Sequence, residues 1–407
     1  MDLRVIIILA AEALLAVWLL HREKLLGAPV RAAAAIALVA AAFVLRGLVF
    51  SYETLDYQDF LTKWVAYYRD NGGFLALRES VGNYNIPYLY FLALFSYLDI
   101  KDLYLIKLLS VFFDVVLAWA ALRLAARFTD SPARRLSCFL AVLYLPTVFL
   151  NGSVWGQCDS TYAALALLGV CLALEDRPLL SMVCAALSFG FKLQAVFILP
   201  VYAVLWMYGK FNWKHFLVFP LTYVLLVLPA VLLGRPFLDT LTLYLRQTGS
   251  IGDALNYNSS SIFAFFRNIS DAALASKLGV IAAFALMGLI LAAAWLNRAR
   301  LSDRAVLGAA LLFAIGIPFL LPHMHERYFF VADILAVVLA FSCPEFAVTA
   351  VLTQFASLLG YHAYLKMRYL LPMRYGSCAL VLAFILSLFF FLSGLSSKKE
   401  KKPEIRS

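Results

Sequence analysis

The stretch IPYLYFLALFSYL (86–98) decides how this chain is threaded. It is apolar enough for a membrane, but a crossing helix needs roughly 17 to 25 residues at a rise of about 1.5 Å each. Counted as a crossing, it inverts every later segment and splits the basic loops between two faces. Placed at the interface, it leaves one face with Arg22, Lys24 and Arg31, then Arg123, Arg127, Arg134 and Arg135, then Arg177, Lys210 and Lys214. Arg298, Arg300, Arg304 and the tail KKEKKPEIRS follow on the same side. Lysine and arginine collect in cytoplasmic loops, so charge places 86–98 at the interface and makes the basic face cytoplasmic.

The rest of the composition agrees with a polytopic membrane protein. Of 407 residues, 64% are hydrophobic and 14% charged, against roughly 25% charged in soluble domains. Backbone groups in hydrocarbon must bond internally, so the predicted fold class is all-α. Apolar runs fall at about 3–20, 31–50, 103–126, 136–150, 160–174, 179–190, 194–208, 215–234, 276–296, 305–322, 328–342, 345–362 and 375–395, about thirteen transmembrane helices. The first run ends in the basic stop His21-Arg22-Glu23-Lys24 and reads as a retained anchor, not a cleaved leader. The six cysteines are scattered through apolar runs with no CxxC pair, so they read as buried hydrophobes. The net charge of +10 is explained by its asymmetry across the bilayer, and no nucleic-acid partner is expected.

With this threading, nearly every unusual polar cluster lands on the outer face. The first long outer loop, 51–102, opens with SYETLDYQDFLTKW, in which Asp56 and Asp59 would share one side of a helical turn among Tyr57 and Trp64. They read either as a solvated loop with interfacial aromatics or as a carboxylate base at the membrane surface. VGNYNIPYLYF (81–91), with Asn83 and Tyr84, reads either as an amphipathic helix on the outer leaflet or as the wall of a groove open to lipid. In NGSVWGQCDS (151–160) the asparagine and glycines suit any turn, whereas Gln157 and Asp159 beside Trp155 are the more informative residues.

Lys192, in LSFGFKLQAVF (187–197), is a lone cation in an apolar stretch, either a lysine that snorkels to the interface or a point charge for a phosphate. LPHMHERYFF (321–330) adds His323, His325, Glu326 and Arg327, and Arg327 supplies a guanidinium suited to phosphate. A divalent metal on these histidines is possible in principle, but two histidines two residues apart do not share a helical face. No cofactor is therefore expected. Lys192, His323, His325 and Arg327 together suggest an anion whose lipid tail stays in the bilayer.

WGQCDS (155–160), FGFKLQAVFILP (189–200) and MHERYFF (324–330), with DYQDFLTKW (56–64) and NYNIPYLYFL (83–92), resemble the GPI mannosyltransferase II family and its prokaryotic relatives, within the GT-C superfamily of polyprenyl-phosphate-sugar-dependent glycosyltransferases. The resemblance runs from about Asp56 to Phe341. It implies a GT-C-like fold with interfacial helices in the first outer loop, and it matches Asp56 to the catalytic base, with Asp59 as second candidate. It further places Trp155, Gln157 and Asp159 in the pocket with Trp64, Asn83 and Tyr84, and it puts Lys192, Gln194, His325, Glu326, Arg327 and Tyr328 at the donor. This chain departs from the pattern at Val331, where proline is usual, and loosely in LNYNSSSIFAFF (255–266).

The implied division is an extra N-terminal anchor (1–30), a catalytic transmembrane module (31–234), a second module (235–395) with outer loop 235–275, and a basic cytoplasmic tail (396–407). The implied activity is inverting transfer of a sugar, mannose by resemblance, from a polyprenyl-phosphate donor to a hydroxyl on a glycan, glycolipid or protein at the outer or lumenal face. Short loops favour a prokaryotic plasma membrane over the endoplasmic reticulum. The competing readings are a lipid-linked glycan ligase or polymerase and a flippase for lipid-linked sugars. A flippase calls for ionisable groups at mid-membrane or interrupted helices repeated in both halves.

Overall fold

The computed structural model describes residues 2–247, 254–266 and 268–396. Among the described residues, eight helices are long and apolar enough to cross a membrane: Leu3–Arg22, Pro29–Val49, Asp102–Ala125, Trp213–Leu232, Ala272–Leu296, Asp303–Leu320, Pro344–Leu365 and Arg374–Ser396. A ninth results if Pro132–Tyr144 and Pro146–Trp155 count as one span bent by 42°. All thirteen expected runs are wholly or partly helical, and the fold is an all-α polytopic membrane protein. The runs that fall short of membrane length include Asp159–Leu174, Pro178–Phe191 and Phe330–Ser342. Asp159–Leu174 is almost wholly buried, lodged between Asp102–Ala125 and Pro178–Phe191. Helix ends that stop inside protein can bond to neighbouring chain, so these helices need not match the bilayer thickness.

Proline sets several helix starts. Pro29, Pro87, Pro132 and Pro178 lie in first turns, where the missing N–H would have had no partner in any case. Pro146 acts differently, because it follows Leu145 in extended conformation (ψ 124°) and breaks the helix that began at Pro132. After the break the chain winds as a π-helix over Leu150–Trp155 and leaves it through Gly156 at φ +79°. That left-handed residue turns the Trp155–Gln157 backbone back across the end of the bundle.

The Ile86–Phe95 helix corrects one expectation. It is ten residues long and apolar on all sides, and it packs against Pro178–Phe191 and Val218–Leu232. At ten residues it is short of membrane length, as expected, but it lacks the separate polar and apolar faces of an amphipathic surface helix. Asn85 fixes its start by accepting from Ile86 N–H and by donating to Gly190 O (2.9 Å) and the Tyr223 hydroxyl (3.2 Å).

The loops that carry the basic residues meet at one end of the bundle. Arg135 pairs with Glu23 at 3.1 Å, Arg127 with Asp303 at 2.7 Å, Lys210 with Asp176 at 2.8 Å, and Arg123 with Glu175. The opposite end carries the clusters around Asp56, Trp155, Lys192 and Arg327. Strands β1 (Asn256–Tyr257) and β2 (Met324–His325) pair in parallel there, joining two loops far apart in sequence.

Charged side chains inside the apolar bundle support that end from below. Arg46 and Asp114, both buried, pair at 3.2 Å, and Arg46 also donates to Leu143 O at 2.8 Å. Asp114 accepts from Ser160 Oγ at 2.5 Å, and Ser110 Oγ donates to Gln157 O at 2.7 Å. A methyl group on Gly152 would come within 3.2 Å of Asp114 Oδ2, so the 151–160 turn rests directly on this pair. Lys107 donates to the carbonyls of Phe50 (3.0 Å) and Tyr52 (2.6 Å), tying down the end of Pro29–Val49 just before Asp56.

Removing one partner of a buried pair strands the other charge, at a cost of about 3–5 kcal/mol. Arg46→Met is therefore expected to lower unfolding stability by about that amount, and Arg46→Met/Asp114→Leu is expected to recover most of it. Chemical denaturation in detergent micelles measures both, and equal loss in the single and double variants would refute a pairing role.

Candidate active site

Asp56 lies at the start of the π-helix Tyr57–Leu61, half-buried at the end of the bundle. Its Oδ2 accepts from Trp155 Nε1 at 2.8 Å and from Gln157 Nε2 at 2.7 Å. Both bonds fall on one oxygen, which leaves Oδ1 to take a proton. Two more contacts lock the arrangement: Thr54 Oγ1 donates to Trp155 O at 3.2 Å, and the Tyr84 hydroxyl donates to Gln157 Oε1 at 3.0 Å. The Gln157 amide is thereby oriented with its nitrogen towards Asp56.

Trp155 is fully buried and shared by several groups. Tyr364 stacks on it with centroids 4.0 Å apart and planes 12° from parallel, and Tyr361 meets it edge-on at 5.6 Å. The Arg327 guanidinium lies over the same ring at 5.2 Å. One indole therefore connects the carboxylate of Asp56 to the cation of Arg327.

The cations converge on Asp159. Lys192 Nζ pairs with Asp159 Oδ1, Arg327 Nε lies 3.5 Å from Oδ2, and Asn151 Nδ2 donates to Oδ2 at 2.7 Å. Asn151 also donates to the Tyr361 hydroxyl at 3.0 Å, and Arg327 Nη1 donates to Glu326 Oε1 at 2.9 Å. Lys192 sits at a break in extended conformation (φ −153°) between Pro178–Phe191 and the 3-10 turn Leu193–Phe197. It is buried, 6% exposed, so it does not snorkel to the interface. Burial works against the charge of Arg327, but Glu326 and Asp159 outweigh it and hold the guanidinium protonated well above its ordinary range. Burial raises the Cys158 thiol, so this cysteine beside Asp159 is held neutral and is a poor nucleophile.

The remaining expected site residues divide. Tyr84 lies 5.7 Å from Lys192 Nζ, and Trp64 packs edge-on against Tyr84 at 5.6 Å, which lines one wall. Tyr328 packs against Phe197 at 5.9 Å, and Gln194 reaches the Tyr328 hydroxyl. His325 stacks on Tyr257 at 4.7 Å and approaches Glu326 at 3.8 Å. His323 adopts φ +61°, and its Nδ1 and backbone N–H bond to Ala254 O and Leu255 O, both at 2.8 Å. It braces the second loop and does not join the cationic cluster. Asp59 is exposed and faces Lys63 at 3.9 Å, and Asn83 is exposed. Among the described residues no three His, Cys, Asp or Glu side chains group as metal ligands.

Residues 83–322, more than half of the chain, match the sequence model of glycosyltransferase family 87. The chain belongs to this family. Family 87 is of GT-C type, so this is a membrane glycosyltransferase of the GT-C superfamily. The narrower likeness to GPI mannosyltransferase II gains no support from the match. No curated protein matches the chain significantly.

For the family-87 protein the sequence missed three side chains at the site: Asn151, Tyr361 and Tyr364. Asn151 stood in a quoted motif but read as an ordinary turn residue. The tyrosines lie one helical turn apart in GYHAYL (360–365), a spacing that would have put them on one face. Nothing in the sequence said which face met Trp155.

Trp155→Phe keeps a ring between Tyr364 and Arg327 and removes one donor to Asp56. Turnover in proteoliposomes is expected to fall about 10- to 100-fold, the worth of one hydrogen bond to a charged group, with little change in the melting temperature. Asp159→Asn is expected to lower both, because it strands Lys192 and Arg327 together. Unchanged turnover in both variants would remove this cluster from the site.

Proposed function

We propose that the protein transfers a sugar, by resemblance mannose, from a polyprenyl-phosphate donor to a hydroxyl acceptor at the outer or lumenal face, with inversion at the anomeric carbon. The observation that carries this reading is the Asp56 carboxylate, held by Trp155 and Gln157, with the Arg327 guanidinium over the same indole and Lys192 paired with Asp159, which Arg327 also approaches. A base and a pair of cations at one end of an apolar bundle suit a reaction between a hydroxyl and a lipid phosphate ester.

In the proposed step the acceptor hydroxyl gives its proton to Asp56 Oδ1 as its oxygen attacks the anomeric carbon. The bond from that carbon to the phosphate oxygen breaks, and its electron pair leaves with the lipid phosphate. Lysine carries three N–H donors and arginine five, so after pairing with Asp159 and Glu326 both retain donors for the departing phosphate. No covalent intermediate on the protein is required. Asp56 is proposed as the base in preference to Asp59, whose side chain is exposed and turned to Lys63.

Single-turnover transfer in nanodiscs, with radiolabelled polyprenyl-phosphate mannose or glucose and membrane lipid extract as acceptor, tests the assignment. Asp56→Asn is expected to slow transfer by about 10²- to 10⁴-fold, the usual worth of a general base, and Asp59→Asn is expected to stay within about twofold. Equal loss in the two variants would overturn the choice of base. Donor movement between leaflets without transfer by the wild type would replace the enzyme with a flippase.

A further inference from the structure

Tyr364 reaches the site from helix Val348–Leu365, beyond the stretch that matches family 87. Its ring covers Trp155, and its hydroxyl is turned towards the Asp56 carboxylate. That hydroxyl is buried, and Asp56 is the one group it addresses among the described residues. Asp56 Oδ2 is already occupied by Trp155 and Gln157, so a hydroxyl approaching the carboxylate for deprotonation arrives beside Tyr364. The neighbouring walls add half-buried rings, Trp64 against Tyr84 and Tyr257 against His325. Such rings offer apolar faces with polar edges.

Resting on the reading of Asp56 as the base, we infer that Tyr364 is a specificity-determining residue that hydrogen-bonds a second hydroxyl of the acceptor, which makes the acceptor a polyhydroxylated ring of a glycan or glycolipid headgroup. A ring with neighbouring hydroxyls satisfies Asp56 and Tyr364 together. The isolated hydroxyl of a serine or threonine side chain would give the Tyr364 hydroxyl no partner on the acceptor, and sites built around a substrate hydroxyl reject analogues that lack it. Tyr364 neither gains nor loses a proton in the step. Its ring positions Trp155, and its hydroxyl selects the acceptor.

The test uses the full-length protein in nanodiscs, radiolabelled polyprenyl-phosphate mannose as donor, and two acceptor probes, methyl mannoside and N-acetylthreonine amide. Wild type is expected to glycosylate methyl mannoside and to discriminate against the threonine amide. Tyr364→Phe, which keeps the stack on Trp155, is expected to raise the KM for methyl mannoside about tenfold and to narrow that discrimination. It should raise the acceptor KM without raising the donor KM, a separation that a merely structural role would not produce.

A monodeoxy series of methyl mannoside, run on the wild type and on Tyr364→Phe, gives an independent measure. Loss of one non-attacking hydroxyl should raise KM by a similar factor in the wild type and have no further effect in Tyr364→Phe. An unchanged methyl mannoside KM in Tyr364→Phe overturns the inference. So does a wild type that uses the threonine amide equally well, or that hydrolyses donor and accepts neither probe. A wild type that consumes no donor overturns the glycosyl-transfer reading itself.

Discussion

A single buried carboxylate, Asp159, shared by Lys192 and Arg327, is the constraint around which the rest of the site is arranged. Each of these charges is costly to remove from water and becomes tolerable only when its partners are present and further hydrogen bonds complete the pairing. Asn151 completes Asp159, and Glu326 completes Arg327. Satisfying all of them forces four separate stretches to one point: the 151–160 turn, the helix break at Lys192, the 325–328 segment and, through Tyr361, helix Val348–Leu365.

The same logic extends downward into the bundle. Arg46 with Asp114 and Lys107 with the end of Pro29–Val49 put charge where the surroundings are apolar, and each is satisfied by backbone or by an opposite charge. They hold the two pieces that must meet, the loop that carries Asp56 and the turn that carries Trp155 and Gln157. Above them, the short parallel pairing of Asn256–Tyr257 with Met324–His325 draws the second long loop onto the site. His323 is spent on that attachment, and His325 on stacking against Tyr257.

The architecture was legible in the sequence because hydrocarbon leaves the backbone few options. Apolar runs located the helices to within a few residues, and the spread of arginine and lysine predicted which loops belong together, as the ion pairs at the basic end bear out. The motif WGQCDS and the cations at 192 and 327 were recognised as a set. Less was legible where burial overrides length. The short runs were counted among the spans although they fall below membrane length, and the Ile86–Phe95 helix, packed among its neighbours, could not be told from an amphipathic one by thirteen residues alone.

Composition and charge order by themselves determined a polytopic helical membrane protein with its unusual polar residues gathered at one end, because those properties depend on transfer free energy residue by residue. Only the tertiary structure decided the pairings. It separated Asp56, bonded to Trp155 and Gln157, from exposed Asp59 three residues on, and it drew Lys192 onto Asp159 and not to the membrane surface. It also brought Tyr364 to the carboxylate from some three hundred residues away. Hydrogen bonds and ion pairs act over a few ångströms, and which groups come that close is set by how the helices pack, which no local pattern in the chain encodes.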